Sequence, residues 1–543
     1  MPNRIFPVSP RLLTLFCLCY PAIWLYAPDL TIIYYHFGLK SLGIILTVFC
    51  TIPLIMLFCK NLRQFWLLNL PFAAVAGFYT AYILYYHDIP YEGMWFALWN
   101  ASYEVDWGLT KYFVGYALVL IAGFVPYCLC LYHPIQKSIV FSRQFKSWYA
   151  FVSLILISIN LVITNFFSGK IPIQRVLDQS VLLQNYPYGM VGMMIKTKLS
   201  LAQNQLIHVP AMQRSVTPKG REIYVFVIGE AARHDYWLTV SKDMQSRLLN
   251  DPDIILFPHA AAQANLTSLA LPLLLTGTSN MQAALNHPIW MEFLKGAGCT
   301  TGWITNAVEP FNYPQQNDFY DLNIDRRAWA GFSGVTYDDV LLPEIQRTLT
   351  QGPKKLCLIV HFIGSHFDYR VRYRADLKKY PVNNQEYDDF DSSQHVIAFR
   401  NAYDNSLIQT NVILQSIIAM LKKEDAISFL IYTSDHAESF DDGGSGQYFH
   451  GNPHPRRTEV EVPFFIWANS QFQQQYPEKW QAVIKNQQRN ISNSQILPTF
   501  LDVLSITNKP DYLAPSLLQN YPNEVQRIVM LPSITMVPFE SLP

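Results

Sequence analysis

The chain has no surplus of charge: Lys and Arg number 40, and so do Asp and Glu. That balance makes no case for nucleic acid or for an acidic partner. Charge of either sign is also scarce, at 15% of residues, whereas soluble domains average about 25%. Cysteine is scarce in the second part of the chain. Cys17, Cys19, Cys50, Cys59, Cys128 and Cys130 precede residue 169, and only Cys299 and Cys357 follow it. A disulfide framework is therefore not indicated, and these two read as buried thiols. Internal repeats and low-complexity tracts are missing. No clear small-residue cleavage site follows the first apolar run, so it does not read as a cleaved signal.

What is present is apolar sequence in long runs. Residues 9–27, 42–59, 66–86, 112–132 and 148–167 each have about the length that crosses a bilayer core as a helix. They predict a five-helix membrane domain over 1–168. With the N-terminus inside, the inner segments carry Arg4, Arg11, Lys60, Arg63, Lys137, Arg143 and Lys146, and the outer loops carry only Lys40 and Lys111. By the positive-inside bias, the N-terminus is cytoplasmic and everything after Phe167 is outside. In a bacterium with two membranes that is the periplasm, and the protein belongs in the inner membrane.

Residues 169–220 alternate Lys170, Arg175, Lys196 and Lys198 with clusters such as Val181-Leu182-Leu183 and Met193-Met194-Ile195. They read as short amphipathic helices on the membrane surface, or as a plain linker. From Arg221 the pattern changes. Strand-like runs at 223–228, 300–305, 356–362, 427–432 and 462–467 alternate with helical stretches such as 404–423. That is an α/β layout over 221–543.

Two strand runs end in chemistry. Ile427–Tyr432 leads into Thr433-Ser434-Asp435-His436-Ala437-Glu438-Ser439. A carboxylate and an imidazole fixed at a strand end suit a zinc site. Ile223–Ile228 leads into Gly229-Glu230, and Glu230 is either a third ligand or a helix N-cap. In Asn265-Leu266-Thr267-Ser268-Leu269-Ala270-Leu271-Pro272 a hydroxyl opens a helix. It is an ordinary N-cap, or a nucleophile activated by a metal beside an anion-binding helix end. His366 and His450 follow glycine-containing turns; each is structural, or binds phosphate, or carries a proton. Arg372 would suit phosphate.

Taken in order, Gly229-Glu230…Arg233…Asp235, the Thr267…Pro272 segment, Gly364-Ser365-His366…Tyr369…Arg372-Tyr373, Ser434-Asp435-His436…Glu438-Ser439 and Phe449-His450-Gly451 resemble the bacterial phosphoethanolamine transferases. Members of that family modify lipid A, lipopolysaccharide core or periplasmic glucans. The resemblance covers nearly the whole chain, five-span domain included. It implies an alkaline-phosphatase/sulfatase-like fold for 221–543. It also implies zinc on Glu230, Thr267, Asp435 and His436, with Thr267 as nucleophile and phosphatidylethanolamine as donor. The phosphoethanolamine group would pause on Thr267, diacylglycerol would leave, and a lipopolysaccharide, lipid A or glucan acceptor would take the group. His366 and His450 match histidines that bind substrate phosphate or a second zinc. Asn100 and Glu104, one helical turn apart, resemble a polar element that meets the donor's amine.

The chain departs from the pattern in three places. Many relatives staple the exported domain with several disulfides. Ala270 stands where the lipid A enzymes usually carry Ser, and no Pro follows Tyr373. The spacing leans toward the core-modifying branch. The competing functions are a phosphoglycerol transferase of the lipoteichoic-acid-synthase type, a membrane-anchored phosphatase or sulfatase, and a non-catalytic sensor or transporter.

Overall fold

The computed structural model describes residues 9–35, 57–86, 110–155 except 153, 209, 211–243, 248–284, 287–307, 325–329, 337–388 and 396–543 except 534. These fall into two compact units, one built from residues before 200 and one from the residues after.

The first unit is helical, with helices at Pro10–Leu25, Ala27–Tyr35, Leu62–Leu68, Leu70–Tyr86 and Thr110–Tyr132. Four of the five apolar runs thus contain helical residues, the described start of the run at 148–167 included. The run at 42–59 and the far end of the run at 148–167 lie largely outside the described residues, as do 169–208 of the connector. Among the described residues no single helix is long and apolar enough to cross a membrane, while Leu62–Leu68 and Leu70–Leu84, bent by 60° at Asn69, pass as a pair. Buried polar groups join the helices: Trp24 Nε1 donates to the Ala73 carbonyl at 2.8 Å, and the Tyr127 hydroxyl to that of Trp66 at 2.7 Å. Apolar side chains also face outward, among them Leu12, Phe16, Ile23, Ile121 and Leu129.

The second unit is an α/β domain around one seven-stranded sheet. Its strands are β1 (Glu222–Gly229), β2 (Ile254–Leu256), β3 (Thr300–Thr305), β4 (Arg326–Trp329), β5 (Lys355–His361), β6 (Ile427–Ser434) and β7 (Phe464–Ala468). Their spatial order is β2-β7-β6-β1-β5-β3-β4. The run from β6 to β4 is parallel; β7 is antiparallel to β6, and β2 to β7. Every residue of β1 and β6 is buried, as expected where both faces of a parallel sheet are covered. The long helix Val396–Leu421 contains most of the predicted 404–423 stretch and starts eight residues earlier. The two strands that the hydropathy pattern missed, β2 and β4, lie at the sheet edges and are only three and four residues long. Cys299 and Cys357 are buried and free, packed into the same core.

Register positions the chemistry. Across the sheet Ile228 pairs with His361 on one side and Thr433 on the other, and Gly229 pairs with Ser434. Glu230 and Asp435-His436 therefore leave the sheet side by side at its carboxyl edge, where ligands bind in open α/β sheets.

Candidate active site and metal centre

Glu230, Asp435 and His436 are buried, and their ligand atoms lie within 4.8 Å of one another. His436 Nε2 stands 3.1 Å from Glu230 Oε1 and 3.4 Å from Asp435 Oδ2. The Thr267 hydroxyl completes the group, donating to Glu230 Oε1 at 3.2 Å and lying 2.9 Å from His436 Nε2. Thr267 is the first residue of the helix Thr267–Thr276, whose N-cap Leu266 offers no side-chain cap. The first N–H groups of a helix have no intrahelical acceptor, so they remain for an anion.

The backbone around these residues is held in uncommon conformations. Ala231, directly after Glu230, has φ +56°, and Phe449, directly before His450, has φ +63°. Non-glycine residues at positive φ are costly and collect at functional sites. Gly364 (φ +51°) lets the His366 loop pass against β1: a Cβ there would meet the Glu230 carbonyl at 2.7 Å and its nitrogen at 2.8 Å. The Ser365 N–H closes this contact by donating to the Glu230 carbonyl at 3.0 Å.

The electrostatics of the site favour a cation. Burial raises the Glu230 carboxyl, but attraction to His436 outweighs it and holds Glu230 below the ordinary carboxylate range. Burial and then repulsion from Glu230 push Asp435 up to about 7. Burial opposes charge on His436, yet Asp435 and Glu230 push it up to about 10. Asp435 Oδ1 accepts N–H groups from His436 and Ala231, while Oδ2 has no hydrogen-bond donor. Two carboxylates, an imidazole and a hydroxyl at this spacing, with one carboxylate oxygen unsatisfied, fit a divalent cation of the zinc type.

The two predicted histidines reach the same place. His450 and His436 rings are 4.1 Å apart between centroids, and His366 and His450 are 6.3 Å apart. Burial, then the neighbouring His436 charge, push His450 well below its ordinary pKa, so it is neutral. Its Nδ1 pairs with Glu438 Oε1 at 3.1 Å. Burial pushes Glu438 itself up to about 8. Arg372 is buried and donates to the carbonyls of His366 (2.7 Å) and Phe367 (3.2 Å); it touches the loop that carries His366. Asn100 and Glu104 lie outside the described residues.

Sequence reasoning missed three residues here. His361, the last residue of β5, is buried with neither ring nitrogen hydrogen-bonded, and burial holds it down at about 4. It sits inside an apolar run that hides it. Glu438 was visible in the motif but given no role. Glu459 accepts from Asn265 and Asn452, partners too distant in sequence to suggest it.

A family model described as Sulfatase matches residues 222–506. That is more than half of the chain, and the chain belongs to the sulfatase family. Phosphoethanolamine transferase EptC of Escherichia coli O18:K1:H7 (strain RS218 / NMEC) is 22% identical over 456 residues, which cover 78% of this chain and 77% of the relative. Among solved structures, the integral membrane protein lipooligosaccharide phosphoethanolamine transferase A (EptA) from Neisseria meningitidis aligns over 93% of this chain and 97% of its own, with TM-score 0.63 and 17% identity. The C-terminal periplasmic domain of EptC from Escherichia coli, in complex with Zn, aligns over 62% and 98%, with TM-score 0.54 and 21% identity. These relatives are of the family that the motifs resemble, and the second unit has the alkaline-phosphatase/sulfatase-like fold.

Proposed function

We propose that this protein transfers phosphoethanolamine from phosphatidylethanolamine to a cell-envelope glycolipid, lipopolysaccharide core or lipid A, and releases diacylglycerol. The observation that carries the reading is the Thr267 hydroxyl at a helix N-terminus, 3.2 Å from Glu230 and 2.9 Å from His436. The related phosphoethanolamine transferases supply the group transferred. The domains are a membrane unit over 1–168 with five spans, an interfacial connector over 169–220 and a periplasmic catalytic domain over 221–543. The outward-facing Leu, Ile and Phe side chains of the first unit support a lipid environment, and the similar EptA of Neisseria meningitidis is an integral membrane protein. A reporter enzyme active only outside the cytoplasm, fused after Gly220, is then active; silence there would overturn the topology.

Glu230, Asp435, His436 and Thr267 would hold zinc, which when bound lowers the pKa of the Thr267 hydroxyl and offsets phosphoryl charge. The orphaned Asp435 oxygen and the zinc complex of the similar EptC domain support that choice. Thr267 Oγ1 attacks the donor phosphorus. The bond from phosphorus to the diacylglycerol oxygen breaks, and that oxygen leaves with the hydroxyl proton. Phosphoethanolamine rests on Thr267 until an acceptor oxygen takes it and Thr267 regains a proton. N–H groups at the helix start face the phosphoryl oxygens. Neutral His450, its Nδ1 held by Glu438, offers Nε2 to phosphate or to a proton in transit. His366 does the same from the facing loop, with Arg372 fixing its backbone. Asn100 and Glu104 serve the donor's ammonium.

With acceptor withheld, mass spectrometry of the full chain incubated with phosphatidylethanolamine finds a phosphoethanolamine adduct on the Thr267 peptide. Thr267→Ala loses turnover by about 10⁴-fold or more, as removal of a nucleophile does, and Thr267→Ser keeps a part. A glycerophosphate adduct formed from phosphatidylglycerol instead would replace the donor. No adduct together with full activity of Thr267→Ala would remove the covalent route.

A further inference from the structure

Three segments carry the side chains that must meet at the reacting phosphorus: 265–267 with Thr267, 435–439 with Asp435, His436 and Glu438, and 450–452 with His450. All three converge on one carboxylate that is not among them. Glu459 lies in the short turn Arg457–Glu459 and is buried. Its Oε2 accepts from Asn265 Nδ2 at 2.9 Å and from the Asn452 N–H at 3.3 Å. Its Oε1 accepts from Asn452 Nδ2 at 2.9 Å and from the Ser439 hydroxyl at 3.3 Å. Its backbone joins in, since the Ala437 N–H donates to the Glu459 carbonyl at 2.8 Å. Two further bonds close the network without it. Asn265 Nδ2 also donates to the Asn452 carbonyl at 3.0 Å, and the Gly451 N–H donates to the Asn265 carbonyl at 2.8 Å. Asn265, Ser439 and Asn452 are all buried.

We infer that Glu459 is a positioning residue for group transfer: it holds the loops of Thr267, His450 and the Asp435–Ser439 segment at fixed mutual distance without touching substrate. The inference rests on the proposed transfer reaction for its kinetic consequence, and on the geometry alone for its structural one. The physical reason is that a carboxylate offers about four acceptor sites, and here all are filled: Ser439 lies in a short antiparallel pair with Phe449, directly before His450, and Asn265, beside the nucleophile, reaches the same carboxylate from outside that pair. Asn265 lies two residues before the nucleophile, and Asn452 two residues after His450. A buried carboxylate whose acceptor sites are all filled favours one arrangement of its donors. Removing its centre leaves four donors to find new partners, so the loops shift relative to each other. Displacement of reacting groups by about 1 Å can cost about 10²-fold in rate. Glu230 and Asp435 stay at the ends of β1 and β6, whereas Thr267 and His436 lie in the segments that shift, so turnover is compared per zinc-loaded molecule.

The test uses the full chain in its membrane, with wild type, Glu459→Ala and Glu459→Gln side by side. Glu459→Gln keeps the shape, and its amide can still accept from Asn265 and donate to Ser439. Glu459→Ala should lower kcat by about 10²-fold per folded, zinc-loaded molecule, with KM for donor lipid little changed. Glu459→Gln should recover at least tenfold of that loss. Amide hydrogen exchange, which needs no substrate, should quicken in Glu459→Ala at 264–268 and 449–453 and stay unchanged in β1 and β6. Equal kcat per folded molecule in wild type and Glu459→Ala would overturn the inference. If wild type transfers no phosphoethanolamine, the proposed function fails on its own. The positioning role is then decided by exchange: unchanged protection of both loops overturns it, and faster exchange confined to them sustains it.

Discussion

Asp435 has one oxygen bonded by two backbone N–H groups and another with no hydrogen-bond donor, although His436 Nε2 stands 3.4 Å from it. A buried carboxylate left in that state is costly, and a cation is the simplest relief. Removing either Asp435 or His436 should therefore remove the metal rather than only slow the reaction. Asp435→Ala and His436→Ala, purified at equal folded fraction, should each carry well below one equivalent of zinc by atomic emission and show at least about a hundredfold loss of turnover. Zinc content equal to wild type in both variants would place the metal elsewhere. At this scale the sequence was informative where a strand ends in a side chain that could hold a metal, as at Glu230 and Asp435-His436, because strand burial and side-chain chemistry coincide there and the fold brings the three together. His361 was not readable: a lone histidine closing the apolar run Leu356–His361 gives no local sign that it faces the same edge as Glu230.

Elements decide how closely those residues approach. The His366 loop packs against Glu230, just past the end of β1, only because residue 364 has no Cβ and adopts φ +51°. Gly364→Ala meets two obstacles at once. A left-handed conformation costs an L-residue about 1–2 kcal/mol, and the new methyl would press on the Glu230 backbone, which is not the yielding end of a flexible side chain. Chemical denaturation should show a loss of at least about 1 kcal/mol. Zinc affinity should fall with it, since Glu230 must move. Unchanged zinc affinity at lowered stability would mean that the loop gives way instead of the strand. Interior strands were readable because both faces of a parallel strand are buried, so β1, β5 and β6 are continuous apolar runs. The edge strands β2 and β4 were not: β2 is three residues long and partly exposed, and β4 begins Arg326-Arg327, so neither pattern of hydropathy applies.

At the scale of the whole molecule, Asp404, Asp435 and Asp338 among the described residues pull in one direction. Burial, then repulsion from Asp235 and Asp243, push Asp404 up to about 7 against the attraction of Arg400. Asp435 stands at about 7, and Asp338 at about 6 despite N–H groups from Ile363 and Gly364. An unfolded Asp titrates near 4 (about 3.9). Between about 4 and 7 the native chain therefore binds protons that the unfolded chain has released. Stability falls as pH rises when the native state holds more protons. The contribution of these groups is complete below about pH 4 and is lost as pH climbs through 6 to 7. His436, raised to about 10 from an unfolded value of about 6.5, continues the decline above neutrality. Glu230, held low, works the other way only at acid pH. Metal reverses the trend at the site, because its ligands must be deprotonated to bind it. Asp404 is not among those ligands, so it separates the two effects. Chelated protein melted at steps from pH 5 to pH 9 should be most stable at the acid end. Asp404→Asn should flatten the part of that slope between pH 5 and 7, with or without zinc. Zinc should raise the melting temperature more at pH 8 than at pH 6. An unchanged slope between pH 5 and 7 in Asp404→Asn would show that this carboxyl is ionised in the folded protein.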